Sequence, residues 1–240
     1  MLTIGLIPAR KGSKGIEKKN IRNLGNYPLI AYTILCAKKS KRLDQAYITT
    51  NDEQVMEIAG RMRCPVIHRP DDLAQDESPM MPVVEHAIRW IENNKGKKVQ
   101  IVSLLQPTSP FRFSEDVDRA IDQLISTGAD SVVGVVQVSD HHPMRMYKIK
   151  SGFLSPLFQE PAEGYPRQKL PPVYLRNGMI YTCWRDLVID RNTLLGEKIS
   201  PFIMPPERSI NIDEEMDFLV AEVTLEKHFP HLKEELHDIW

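Results

Sequence analysis

Ile4-Gly5-Leu6-Ile7-Pro8-Ala9-Arg10-Lys11-Gly12-Ser13-Lys14-Gly15-Ile16-Glu17-Lys18-Lys19-Asn20-Ile21-Arg22 lies at the start of the chain. Residues 3–7 form a short apolar run that reads as a buried strand. The run empties into a loop with two glycines and a serine. Six basic residues, but only Glu17 as an acid, lie between Arg10 and Arg22. Gly12 and Gly15 open backbone conformations closed to other residues and let an anion approach the main chain. Lysine and arginine supply charge to match a polyphosphate. The stretch has neither the Gly-x-x-x-x-Gly-Lys-Ser/Thr spacing of a P-loop nor the Gly-x-Gly-x-x-Gly of a dinucleotide fold. Charge runs are commonly just solvated loops. Its place directly after a first strand, where open α/β sheets keep their ligands, favours a phosphate cradle.

Downstream, strand and helix patterns alternate. Residues 28–38 read as a helix with Pro28 in its first turn and Leu29, Ile30, Ile34 and Ala37 on one side. Residues 46–49 read as a strand, and Asn51 with Gln54 as the capping box of a helix to about residue 62. A short strand at 65–67 precedes a helix at 80–93, entered through Ser78 and Pro79. A strand at 99–105, a helix capped by Ser114 and running to about residue 126, and a strand at 131–138 follow. Such alternation implies an α/β fold with a mostly parallel sheet and helices on both faces. The rhythm breaks at about 139–174, a stretch of prolines and aromatics without a helix. Its Phe153, Leu154, Leu157 and Phe158 are hard to bury locally, which suits a partner subunit. The chain returns with a strand at 179–184, an edge piece at 201–204 and a helix at 214–227.

The chain has 240 residues, 42% of them hydrophobic, enough for a single large domain over 1–240. A net charge of −1 argues against general nucleic-acid affinity. No apolar run approaches the ~20 residues of a membrane span, and the start has no signal-peptide layout. Cys36, Cys64 and Cys183 form no Cys-x-x-Cys pair and suggest reduced thiols in a cytoplasmic protein. His141-His142 has no cysteine or carboxylate at metal-ligand spacing to support it.

Five ordered blocks carry a resemblance. Ile7-Pro8-Ala9-Arg10-x-Gly12-Ser13-Lys14-Gly15-Ile16-x-x-Lys19-Asn20-Ile21 resembles the N-terminal signature of the acylneuraminate cytidylyltransferases, or CMP-sialic acid synthetases. Arg69-Pro70, then Leu73-Ala74-x-Asp76-x-Ser78-Pro79-Met80 with His86-Ala87, is a second block. Leu104-Leu105-Gln106-Pro107-Thr108-Ser109-Pro110-Phe111-Arg112 is a third. Tyr165-Pro166-Arg167-Gln168-x-Leu170-Pro171, then Asn177-Gly178-x-Ile180-Tyr181, is a fourth. Ser209-Ile210-Asn211-Ile212-Asp213-Glu214-Glu215 is the last; read as a strand, it sets positions 211 and 213 on one side.

The resemblance implies a three-layer, Rossmann-like nucleotidyltransferase fold with an inserted dimerisation arm, acting as a homodimer. It implies transfer of a cytidylyl group from CTP to an acidic nine-carbon α-keto sugar, with release of pyrophosphate. Arg10, Gly12, Ser13, Lys14, Gly15, Lys19, Asn20, Arg69 and Ser78 would then hold the nucleotide. Gln106, Thr108, Ser109, Arg145, Arg167, Gln168 and Tyr181 would meet the sugar. Mg2+ would sit at Asp213 and Asn211, and Arg10, Lys19 and Asp213 would be catalytic. The family usually carries aspartate at both metal positions, so Asn211 is a departure; its oxygen can ligate magnesium but brings no charge. Asp213 also reads as the N-cap of the closing helix. A Kdo-type sugar, another nucleotide, or a non-catalytic homologue are the alternatives.

Overall fold

The computed structural model of the chain describes residues 1–12, 15–158 and 165–240. Strand β1 (Leu2–Pro8) is buried from Thr3 onward. Ile4 and Leu6 join one hydrophobic cluster and Ile7 the other, the alternation of a strand covered on both faces. A short turn of β2 (Asn23–Leu24) and β3 (Tyr27–Pro28) leads into α1 (Leu29–Lys39). Then come β4 (Gln45–Thr50), α2 (Glu53–Arg61), β5 (Val66–His68), α3 (Met80–Lys95), β6 (Val99–Leu104), α4 (Ser114–Thr127) and β7 (Ser131–Gln137). The hairpin β8 (Tyr147–Lys150) and β9 (Phe153–Pro156) precedes the long β10 (Tyr174–Trp184). Helix α5 (Arg185–Ile189), β11 (Ile199–Met204), α6 (Glu215–His228) and α7 (His231–His237) complete the order.

Seven strands form one sheet in the order β11-β7-β10-β6-β1-β4-β5. Only β10 runs antiparallel to its neighbours. The chain builds from β1 outward through β4 to β5, then crosses back and adds β6 on the other side of β1. The strand order therefore reverses at β1, and the loops after β1 and β6 flank the crevice where open α/β sheets bind ligands. One core joins the sheet to α1, α2, α4, α6 and α7; the other joins the opposite face to α3 and α5. This is the three-layer, mostly parallel architecture expected from the sequence.

Several local expectations are corrected. All nine residues from Leu29 to Ala37 are buried, because α1 packs against β1 and β4 of the sheet and also against helices α4 and α7. Helix α2 is capped by Asp52, which accepts from Gln54 N at 2.9 Å. Asn51 instead accepts from Lys11 N at 2.9 Å and donates to Asp71 at 3.1 Å. Ser114 is the first residue of α4 rather than its cap; Asp116 reaches back to Phe113 N at 3.0 Å. Helices α5 and α7 were not foreseen. The 139–174 excursion does lack an α-helix among its described residues, holding the β8–β9 hairpin and single turns at Pro143–Arg145 and Arg167–Lys169. The hairpin turn places Ser151 (φ 51°) and Gly152 (φ 84°) in the left-handed region, the twist that two-residue hairpins require.

Candidate active site

The loop after β1 is fastened to the far end of the chain. Ala9 N donates to Thr49 O at 3.0 Å, holding the strand exit beside β4. Gly12 has φ 76°, a conformation strained for other residues. A Cβ on Gly15 would stand 2.2 Å from the carbonyl oxygen of Asp213, so only glycine fits this approach of two backbones. Lys19 Nζ donates to Ile212 O at 2.8 Å and to Asp213 Oδ1 at 3.0 Å. Arg22 bonds both Glu215 oxygens at 2.7 Å and lies 4.1 Å above the Phe218 ring. Ser13 and Lys14 lie outside the described residues.

A cleft of about 530 Å³ opens between this loop and the loop after β6. Arg10, Lys19 and Arg69 line it, together with Gln106, Thr108, Asn211 and Asp213, and with Gly15 and Asn20. Arg69 is 3% exposed. Its guanidinium donates to Thr49 O at 2.8 Å and Thr49 Oγ1 at 3.3 Å. Arg10 pairs with Asp76 at 2.6 Å, whereas Arg69 has no ion pair among the described residues. Burial, and secondarily the Arg10 charge, push the Arg69 group down to about 10. The cleft thus carries a buried cation that no described carboxylate neutralises, a state an entering anion relieves. His86 stands behind it with Nδ1 buried and unpartnered; burial and then Arg69 push its imidazole below the usual range.

The 209–213 segment is not a strand. It leaves the turn at Pro206–Arg208 as an extended loop, held by Ile212 N donating to Thr108 O at 2.8 Å. Ile212 is buried, while Asn211 and Asp213 line the cleft. Asn211 Nδ2 donates to Asp213 Oδ2. Asp213 does not cap α6: Asp217 Oδ2 accepts from Asp213 N at 2.9 Å and Glu214 N at 2.8 Å. The Asp213 carboxylate is therefore free of a capping duty and 62% exposed to the cleft. Among the described residues no group of three His, Cys, Asp or Glu is placed to hold a metal. One carboxylate and one amide oxygen fit a magnesium ion whose shell is completed by phosphates and water.

The other expected residues are placed as follows. Gln106 and Thr108 line the cleft. Ser109 is buried, with Oγ 3.4 Å from Asn211 Oδ1 and 3.5 Å from Asn177 O, so it reaches the cleft only through Asn211. Ser78 donates to Asp72 O at 3.1 Å and is not part of the lining. Tyr181 sits within β10 opposite Leu104, packed on the second core. Arg145 and Arg167 are exposed on the arm. Arg167 pairs with Asp140, and with Gln168 it lines a separate cleft of about 600 Å³ near the ends of β7 and β11. Met80 and Pro107 line the main cleft unforeseen; Met80 follows Ser78-Pro79, so the motif pointed to the right turn and the wrong side chain. Arg112 was also missed. It is fully buried, donating to Met179 O and to Thr33 Oγ1 at 3.3 Å, and ties the Gln106–Ser109 loop to β10 and α1.

Residues 4–182 match the family model described as cytidylyltransferase. The chain belongs to the cytidylyltransferase family. It is 31% identical over 94% of its length to the CMP-N,N'-diacetyllegionaminic acid synthase of Legionella pneumophila, covering 97% of that protein. It is 30% identical over 90% of its length to N-acylneuraminate cytidylyltransferase A of Danio rerio, of which it spans 49%. It is 27% identical over 92% of its length to the post-translational flagellin modification protein B of Campylobacter coli, covering 94% of that protein. The solved CMP:2-keto-3-deoxy-manno-octonic acid synthetase complexed with CTP superposes with a TM-score of 0.68 over 95% of this chain and 99% of that one, at 13% identity. That likeness bears on fold alone. As a cytidylyltransferase the chain is a nucleotidyltransferase. No described helix is long and apolar enough to cross a membrane.

Proposed function

We propose that this cytidylyltransferase joins CTP to a nine-carbon α-keto acid sugar of the sialic or legionaminic type, giving CMP-sugar and pyrophosphate. The observation that carries the reading is the unneutralised Arg69 beside Arg10 and Lys19, in a chain aligned end to end with a legionaminic acid relative. The anomeric oxygen attacks the α-phosphorus, its new O–P bond forming as the bond to pyrophosphate breaks. Arg10, Lys19 and Arg69 hold the phosphates and offset charge growing on the leaving group. Lys19 is pre-positioned by Ile212 O and Asp213, so it needs no reorganisation during reaction. Gln106 and Thr108 orient the incoming sugar. Asp213, with the Asn211 oxygen, would hold Mg2+, which when bound supplies further neutralisation of phosphate charge.

The reading includes a homodimer. Arg145, Arg167 and Gln168 stand outside the main cleft of their own protomer, and an arm reaching a neighbour would bring them to that neighbour's sugar carboxylate. It also includes a cytoplasmic setting, supported by three buried free thiols, pushed up by burial to about 11 at Cys36 and about 12 at Cys64 and Cys183. Pyrophosphate release is the test, with CTP, magnesium and a panel of nonulosonic acids beside Kdo and the other nucleoside triphosphates. Release with CTP and a nine-carbon acid supports the reading; turnover confined to Kdo or another nucleotide overturns it.

A further inference from the structure

Helix α6 is apolar on two opposite sides. Phe218, Ala221 and Leu225 face the core and are fully buried. Met216, Leu219, Val220 and Val223, at spacing i, i+3, i+4 and i+7, form a second stripe that is 46–66% exposed. A surface helix ordinarily sets polar residues there. Contiguous exposed apolar side chains with a charged rim mark a docking surface, and here Glu215, Glu222 and Glu226 run along one flank of the stripe at helical spacing. Arg22 and Lys233 pair with Glu215 and Glu226, while Glu222 has no ion pair among the described residues.

A second unpartnered surface of matching character exists in the same chain. In the β8–β9 hairpin, Tyr147 stands opposite Pro156 and Ile149 opposite Leu154. With a period of two these four share one face of the hairpin. Ile149 and Leu154 on this face are 77% and 68% exposed. Lys148 and Lys150 occupy the other face, opposite Ser155 and Phe153. Residues 141–176 hold six basic residues against two acidic ones, whereas residues 214–228 hold five acidic residues against Lys227.

We infer that the stripe on α6 is the seat of the β8–β9 arm of a second copy of this chain. This rests on the homodimer in the proposed function and names its contact. Shape argues for it: a hairpin with one apolar face needs a convex apolar ridge or another sheet to cover it. Charge argues for it, because a basic arm meets an acidic helix. Symmetry argues for it, since each copy supplies one arm and one stripe, so a twofold axis satisfies both. One such contact is small against the ~800 Å² per partner of a stable complex, and the twofold doubles it.

The test is cross-linking between differently tagged copies, co-expressed so that mixed dimers form. One copy carries Leu154→Cys and the other Val220→Cys; Cys36, Cys64 and Cys183 are buried, which leaves the introduced thiols for a short bismaleimide. The expected result is a mixed-tag product several times more abundant than either same-tag product. Leu219→Glu with Val223→Glu, both at exposed positions, should raise the dimer dissociation constant about tenfold or more in sedimentation. A dimer that yields only Leu154→Cys self-linkage, or that is indifferent to the α6 changes, overturns the seat and leaves the homodimer standing. A monomer at micromolar concentration overturns both.

Discussion

Lys19 and Asp213, 194 positions apart, meet at 3.0 Å. The lysine side chain is nearly enclosed, and the carboxylate stands open to the cleft. The pair closes the β1 loop onto the segment before α6, and Gly15 packing on the Asp213 carbonyl makes the same closure through backbone. Cation and carboxylate therefore hold fixed positions before any nucleotide arrives. Lys19→Ala is expected to cut pyrophosphate release roughly 10²-fold or more. In a cycle with Asp213→Asn the double variant should lose clearly less than the two singles combined, because each removes the other's partner. Additive losses would show that the two act separately.

Gly15 and Gly12 make a matched contrast. At Gly15 a methyl group would collide with backbone at 2.2 Å; at Gly12 nothing lies within 4 Å, and only the φ of 76° opposes a side chain. Gly12→Ala should lower stability by about 1–2 kcal/mol, the strain of a left-handed residue, with KM for CTP changed little. Gly15→Ala should raise that KM severalfold and lower turnover, since the phosphate loop must leave Asp213. Equal effects of the two changes on KM would refute the close approach.

Arg69→Met separates binding from stability. The side chain is buried without a carboxylate, so its removal takes away a desolvated charge. Thr49 O keeps a donor, Ala9 N at 3.0 Å. The free variant should melt at or above the parental temperature, while CTP affinity falls at least about tenfold, a lost charge-assisted contact being worth roughly 1.5–3 kcal/mol. A lower melting temperature with unchanged CTP affinity would make Arg69 structural.

What the sequence showed of this site was its local part. Gly12 and Gly15 were legible because a glycine between cations advertises a backbone requirement at its own position. The pairing of Lys19 with Asp213 was not, since nothing in either segment specifies a partner nearly two hundred residues away. Ser109 read as a sugar contact because a hydroxyl in a motif says nothing of its burial; only the bulge at Gly178, which crowds Ser109, Gln106 and Asn211, shows that it faces inward. The cap of α6 was misread by one residue, Glu214 being the N-cap with Asp217 reaching back to it, because Asp213, Glu214 and Asp217 are all competent acceptors. Helix α7 was missed since seven residues with Leu232 and Leu236 buried give barely two turns of pattern.

Acid stability depends on a contact remote from the cleft. Glu92 accepts from Arg185 at 3.0 and 3.1 Å and from Val99 N at 3.0 Å, linking α3 to α5 and β6. Burial pushes its carboxyl up, but the bonds from Arg185 and Val99 outweigh it and hold the group below its ordinary 4.5. A depressed carboxylate stabilises the fold above its unfolded pKa, and that contribution is lost as pH falls through the folded one. Glu92→Gln should therefore lower the melting temperature at pH 7 and flatten its decline below about pH 4.5 relative to the parent. Parallel melting curves for the two proteins across that range would show that Glu92 carries no such linkage.

Asn211 gives the sharpest test of the metal reading. Its Nδ2 donates to Asp213 Oδ2, so the amide serves as a neutral brace for the one charged ligand. Asn211→Asp replaces that donor with a second carboxylate at contact distance, and two adjacent carboxylates repel unless a proton or cation lies between them. The variant should melt below the parent without magnesium, and added Mg2+ should raise its melting temperature more than the parent's, in the absence of CTP. The magnesium needed for half-maximal pyrophosphate release should fall, because the site then offers two charges to the ion. Asp213→Ala should abolish most activity while leaving α6 intact, since Glu214 and Asp217, and not the Asp213 side chain, form the capping box of that helix; far-UV circular dichroism and the melting temperature check that clause. If Asn211→Asp responds to magnesium no more than the parent in either measurement, these two residues do not hold the metal.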